Sequence, residues 1–224
     1  MKYPVIFLLF FNTILFSQSK DTIVSSKYLE DQIYVGLSYI TLSNLPDEVS
    51  SNGFSNSLAL GFIKDFPFDE KGNFGFGVGL GYGRNTYFQN IKISESNNQT
   101  LFETFKGTFK NNRFSFHAIE LPIELRWRTS TIDKYKFYRI YAGGKISYAF
   151  ATNARFKESG NTIKVKDISE FNKLQYGLTL SLGYGTWNFN FYYGLNDIFK
   201  DALLDDVTPL KIRDFRIGLI FYVL

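Results

Sequence analysis

Phe74-Gly75-Phe76-Gly77-Val78-Gly79-Leu80-Gly81-Tyr82-Gly83-Arg84-Asn85 opens by alternating one large side chain with one glycine. A period of two is the repeat of a β-strand, whose successive side chains leave on opposite faces. Phe74, Phe76, Val78, Leu80 and Tyr82 therefore share one face, and the glycines take the other. A phosphate-binding glycine loop is excluded. It would need a following helix and a Lys-Ser/Thr pair, and this run has neither. The glycine face instead predicts room for large inward side chains of neighbouring strands, as in the narrow interior of a small barrel.

Seven more segments carry the same period. Residues 33–41 place Ile33, Val35, Leu37 and Tyr39 on one face, and residues 57–65 place Leu58, Leu60 and Phe62. Residues 116–127 align His117, Ile119, Leu121, Ile123, Leu125 and Trp127. Residues 138–150 align Tyr138, Ile140, Ala142, Ile146, Tyr148 and Phe150. Leu174, Tyr176, Leu178, Leu180, Leu182 and Tyr184 follow in 174–184, then Trp187, Phe189, Phe191, Tyr193 and Leu195 in 187–195. The last segment, 215–224, aligns Phe215, Ile217, Leu219, Phe221 and Val223. Each is close to the roughly 9–11 residues that a tilted strand needs to cross a bilayer's hydrocarbon.

None of the residues named on these faces is Asp, Glu, Lys or Arg. The opposite faces are small or polar, with Gln175, Thr179, Ser181, Asn188, Asn190 and Asn196, and a few charges among them. A soluble sandwich needs the reverse, an apolar face inside and a charged face in water. A charge facing lipid costs about 2–4 kcal/mol at mid-bilayer, which accounts for the uncharged apolar faces. The pattern predicts an all-β fold, an eight-stranded antiparallel up-and-down transmembrane β-barrel. Its fold-level rival is a soluble lipocalin-like barrel with the apolar parity lining a cavity. The glycine-rich, uncharged opposite faces contradict it.

The connections alternate in length. Residues 42–56, 88–112, 151–172 and 196–214 are long, whereas 66–73, 128–137 and Gly185-Thr186 are short. Outer-membrane barrels have short periplasmic turns and longer external loops, so both termini are expected on the periplasmic side. The chain ends inside a strand, and pairing of that strand with the first would leave no open edge in lipid.

At the start, Lys2 and the apolar run 5–16 read as a signal peptide too short to span a bilayer as a helix. Ser17 and Ser19 give a small-x-small pattern, with cleavage after either. The expected organisation is a signal peptide at 1–19 and an outer-membrane barrel domain at 20–224. Aromatic residues make up 19% of the chain, with 25 Phe and 15 Tyr, which suits lipid-facing girdles. Mean hydropathy is only −0.11, too low for a helical membrane protein. No cysteine occurs, so disulfides, thiolate nucleophiles and a lipid-modified cysteine are excluded. The formal charge of +4 is spread along the chain, and no nucleic-acid patch is read from it.

Six residues on the polar faces form the candidate site: Glu120, Glu124, Arg126, Arg139, Lys145 and Arg216. If the turn at 132–134 sets the register, Glu120 can face Lys145, or Glu124 can face Arg139. The favoured reading is a lumen plug that satisfies buried charge by pairing. The rival is a narrow ion path or a small-ligand site. His117 is the only histidine, and its parity puts it on the lipid side, away from any nucleophile. No catalytic residue, cofactor site or metal site is therefore expected. Residues 101–109 keep some alternation and predict that the third and fourth strands extend above the membrane as a hairpin, with an exposed edge or aromatic surface. Asp205-Asp206 and Lys164-Val165-Lys166 read as solvated loop charge.

Glu120-Leu121-Pro122-Ile123-Glu124-Leu125-Arg126-Trp127 and Tyr138-Arg139-Ile140-Tyr141-Ala142-Gly143-Gly144-Lys145 resemble the PorT-like, or porin-family, outer-membrane β-barrel proteins of Bacteroidetes. The likeness covers the mature chain in architecture, and residues 120–145 in specific words. It implies an outer-membrane barrel and, for PorT itself, an accessory role in type IX secretion. Outer-membrane lipid and secretion or envelope proteins are the partners it implies. A structural or interaction role leads. A small transport or ligand-binding barrel with a polar lumen is the alternative. A lipid-modifying enzyme is disfavoured by the place of His117.

Overall fold

The computed structural model describes residues 32–51, 53–69, 71–96, 99–107, 111–129, 137–158 and 160–223. The expected signal peptide and cleavage site, and the turn expected at 132–134, lie outside these residues. Eight long strands form the barrel: β1 (Gln32–Ser43), β2 (Asn56–Pro67), β3 (Phe74–Phe88), β6 (Asn111–Arg128), β7 (Tyr138–Glu158), β9 (Leu174–Tyr184), β10 (Trp187–Gly194) and β13 (Arg213–Val223). Short strands lie in the long connections: β4 (Ile91–Ser96), β5 (Gln99–Thr104), β8 (Asn161–Lys166), β11 (Leu203–Leu204) and β12 (Thr208–Pro209).

All barrel pairings are antiparallel, and β6 pairs with β7 to close the ring. The first and last strands also pair, from Ile33 opposite Val223 to Ser43 opposite Arg213. Closure leaves no backbone edge in the wall, the condition a spanning sheet must meet in hydrocarbon. At one end β9 meets β10 through Gly185-Thr186. Gly185 has φ 59°, the left-handed conformation a two-residue hairpin requires.

The apolar parity faces out. Leu37, Leu60, Phe62, Leu80, Ile119, Leu125, Leu178 and Phe189 are exposed, while Glu120, Glu124, Arg126 and Arg216 are buried inside. The lipocalin-like arrangement would require the opposite. Aromatic side chains band the outer surface at both ends. Phe68 packs on Phe74, Tyr138 on Tyr184 and Trp187 on Phe221 at the short-turn end. Tyr39 packs on Phe54, and Tyr82, His117 and Phe150 pack together, at the long-loop end.

Lys64 and Arg84 continue the outward parity of β2 and β3 and are exposed, so the wall is not free of charge at its ends. Their long stems let the cationic heads reach towards water. Between the bands the rule holds. Leu180 lies midway between Tyr176 and Tyr184 on β9. Leu180→Arg is expected to lower stability by about 2–4 kcal/mol, measured as a shift in the urea midpoint of the detergent-embedded barrel. A change under about 0.5 kcal/mol would mean that β9 does not face lipid there.

The loop expectation is corrected more substantially. β6 and β7 do extend past the wall, but β3 ends at Phe88, and a separate hairpin, β4–β5, follows. Phe102 of that hairpin is buried, not presented as an aromatic surface. β5 pairs in parallel with β11, which pairs with β12, so two long loops share one four-stranded sheet. On β7 a bulge adds Phe150 to the ladder: His117 faces Ala151, but Ala118 faces Ala149. Past it the buried positions shift from odd to even, Thr152, Ala154 and Phe156. A strict period of two could not have followed that change.

Candidate functional site

The lumen is built from the inward parity of eight strands, and the glycines of β3 make its shape. A Cβ added to Gly77 would come within 2.7 Å of Arg126 Cδ. At Gly81 it would fall on the Tyr34 hydroxyl, and at Gly83 on the Glu120 carboxylate. Each of these glycines thus accommodates a polar side chain from another strand.

At the short-turn mouth, Asp65 holds two arginines. Its Oδ1 accepts from Arg126 Nη1 at 2.9 Å, and its Oδ2 from Arg128 Nη2 at 2.6 Å. Arg126 also donates to Gln32 Oε1, and Arg128 Nε to the Gly72 carbonyl at 2.6 Å. The Arg126 guanidinium lies 4.3 Å from the Tyr141 ring centroid, with Tyr222 on a further side at 5.9 Å. Such stacking suits a planar, weakly hydrated cation. In mid-lumen Lys145 Nζ donates to Glu120 Oε2 at 2.9 Å. The Tyr192 ring takes two cations, Lys145 at 5.0 Å from its centroid and Arg216 at 4.4 Å. Arg216 Nε then donates to Asp214 Oδ2 at 2.7 Å, and the Tyr87 hydroxyl donates to the same oxygen at 2.9 Å.

All six residues singled out in the sequence line this interior, but only some meet as anticipated. Glu120 does meet Lys145. Glu124 does not meet Arg139. The register puts Glu124 opposite Gly143 and Arg139 opposite Arg128, so the pair is four residues out of step. Glu124 instead lies 3.6 Å from Arg126, and Arg139 donates to the Gly185 carbonyl at 3.0 Å. Sequence reading missed Asp65, Arg128 and Asp214, which complete the ion pairs, and the inward tyrosines. Asp65 was on the inward parity already, and Tyr34, Tyr141, Tyr192 and Tyr222 all sit on inward positions of their strands. Parity would have flagged them where hydrophobicity did not.

Little space remains. The central cavity, lined by Tyr34, Glu120, Lys145, Tyr192 and Arg216 among others, measures about 40 Å³. That is the scale of a water molecule, not of a solute. Above it the inward positions turn apolar. Ile40, Leu42, Phe114, Phe116 and Ala118 from the wall merge with Val49, Ile93, Phe102, Ile168, Phe199 and Leu210 from the loops in one buried cluster. The long loops form a packed lid over an ion-paired lumen.

On the outer face, the Tyr82 hydroxyl and His117 Nδ1 are hydrogen-bonded at 2.5 Å. The histidine ring also packs against the rings of Tyr82 and Phe150. Among the described residues no group of three His, Asp or Glu could hold a metal ion.

Residues 16–200 match the outer membrane protein β-barrel domain family. Among solved structures the chain is similar to Ail, the attachment invasion locus protein of Yersinia pestis. The sequences are 12% identical, with a TM-score of 0.38 over 87% of this chain and 99% of that one. No curated protein matches.

Proposed function

The chain belongs to the outer membrane protein β-barrel domain family, and from that premise we propose that it is a non-conducting membrane anchor whose long loops form a folded interaction platform. The observation that carries this reading is the filled lumen. Ion pairs and stacked tyrosines leave a cavity of about 40 Å³, and an apolar lid lies over it. Buried ion pairs are a poor device for raw stability but a good one for holding a single arrangement. A platform needs such rigidity, whereas a pore needs the space they occupy. In this reading the leader at 1–19 directs export, the short turns and termini face the periplasm, and the barrel has no catalytic task. The partners are outer-membrane lipid around the wall and an envelope protein at the loops. A PorT-like accessory role in type IX secretion is its most specific form. That form rests on the resemblance of residues 120–145, and recovery of a secretion complex with the tagged barrel tests it.

Planar-bilayer recording tests the central claim. The reconstituted barrel is expected to give no stable conductance steps above the lipid baseline. Ohmic steps that scale with protein added would overturn the plug and favour a transport barrel. Heat-modifiable gel migration of the same sample verifies that a silent recording comes from folded protein.

A further inference from the structure

On the outward face of β6–β7–β8, just past the long-loop girdle, cations stand opposite cations. The register sets Arg113 opposite Arg155, and Arg155 opposite Lys164. One row nearer the wall, Ser115, Asn153 and Lys166 line up in the same way. On β6 both rows share the outward parity of His117, and the bulge at Phe150 brings Asn153 and Arg155 to that face. Without the bulge, β7 would turn them inward.

Like charges directly opposite on a sheet face repel one another. No acidic side chain among the described residues forms an ion pair with Arg113, Arg155, Lys164 or Lys166. The two rows instead line a recess of about 150 Å³. Arg155 Nε is buried in it and has no hydrogen-bond partner. Guanidinium donors, two ammonium groups and neutral Ser and Asn groups converging on a small recess match the oxygens of a phosphate group.

Position identifies the source of that phosphate. The rows lie two and four residues past His117, roughly 7 and 13 Å along the strand at about 3.3 Å per residue. His117 packs with Tyr82 and Phe150, and girdle aromatics sit at the headgroup level of a bilayer. The recess opens sideways, on the face that meets lipid below it. We propose that Arg113, Arg155, Lys164 and Lys166 bind the phosphate of a membrane lipid headgroup, in the leaflet on the long-loop side. Arg84, exposed and opposite His117, extends the same basic belt around the wall.

The test uses the full chain in a phosphate-free detergent, with lipids read by native mass spectrometry. Three probes are titrated: a bisphosphorylated glycolipid (lipid A), its dephosphorylated form, and inorganic phosphate alone. The phosphorylated lipid is expected to be retained about tenfold better than the dephosphorylated one. Arg155→Gln/Lys164→Gln is expected to remove about tenfold of that retention, whereas Lys200→Gln/Lys211→Gln, cations elsewhere on the loops, leaves it unchanged. Lys164→Gln/Lys166→Gln alters only exposed side chains and gives the same loss where the first variant fails to fold. Equal retention of the two lipids, or unchanged retention by folded variants, overturns the site. Displacement of the lipid by millimolar inorganic phosphate overturns the lipid source and assigns the recess to a soluble anion.

Discussion

Asp65→Ala should destabilise the barrel by about 3–5 kcal/mol, because it removes the carboxylate that two buried cations share. Asp65 is fully buried, and its two oxygens are divided between Arg126 and Arg128, each with a guanidinium that is itself buried. Neither arginine can turn outward. Arg126 stacks against Tyr141 and fills the space above Gly77, and Arg128 is tied to the Gly72 carbonyl. Among the described residues Glu124 also stands 3.6 Å from Arg126 and makes a looser pair. The deficit should appear as a lower urea midpoint and a lower temperature for losing the compact gel form. Asp65→Asn should lie between, since it keeps an acceptor and loses the charge. Asp47→Ala, in an exposed turn with ordinary backbone, should stay within about 0.5 kcal/mol. A loss below about 1 kcal/mol for Asp65→Ala would mean that water reaches the arginines through the short-turn mouth, and the plug would then be leaky.

That network shows where a sequence stops being readable. The wall was legible because lipid imposes a simple rule on every second residue, from Ile33 to Val223. The charged residues of the lumen were legible as a set for the same reason. Their pairing was not. Glu124 and Arg139 are both inward, yet a register four residues from the one that would join them separates the pair. Register follows from turn geometry and from which side chains fit above which glycines, and neither is carried by alternation. Tyrosine caused the other failure. Tyr39 and Tyr82 face lipid while Tyr34 and Tyr141 face the lumen, and only parity separates them. The lid was hidden for a third reason. Ile40, Phe114 and Phe116 occupy the inward parity, where a polar residue is expected, and they are apolar because loops cover them. No local pattern announces a core formed between segments as distant as Val49 and Leu210.

The lid also makes its own prediction, separable from the barrel's. Phe199 is its centre, with ring centroids 5.1 Å from Phe102, 5.2 Å from Phe114 and 6.1 Å from Phe171. It also bridges Phe171 through the backbone, tying two long loops together. Phe199→Ala should cost about 3–5 kcal/mol, the range for deleting a buried aromatic ring. The loss should not spread evenly. The wall is held by a closed ladder of strand pairs and by lipid, whereas the β4–β5 hairpin is tied to the rest by this cluster, by the pairing of Phe102 with Leu204 and by a few hydrogen bonds, among them Asn112 Nδ2 to the Ile91 carbonyl. Local opening of such a unit costs less than global unfolding. The variant should therefore keep its heat-modifiable migration while protease cuts residues 91–104 and 198–212 much faster than in the parent chain. If compact migration and loop protection were instead lost together, lid and wall would be one cooperative unit. The loops would then be structural staves of the barrel, and a platform carried on a separate anchor would no longer describe it.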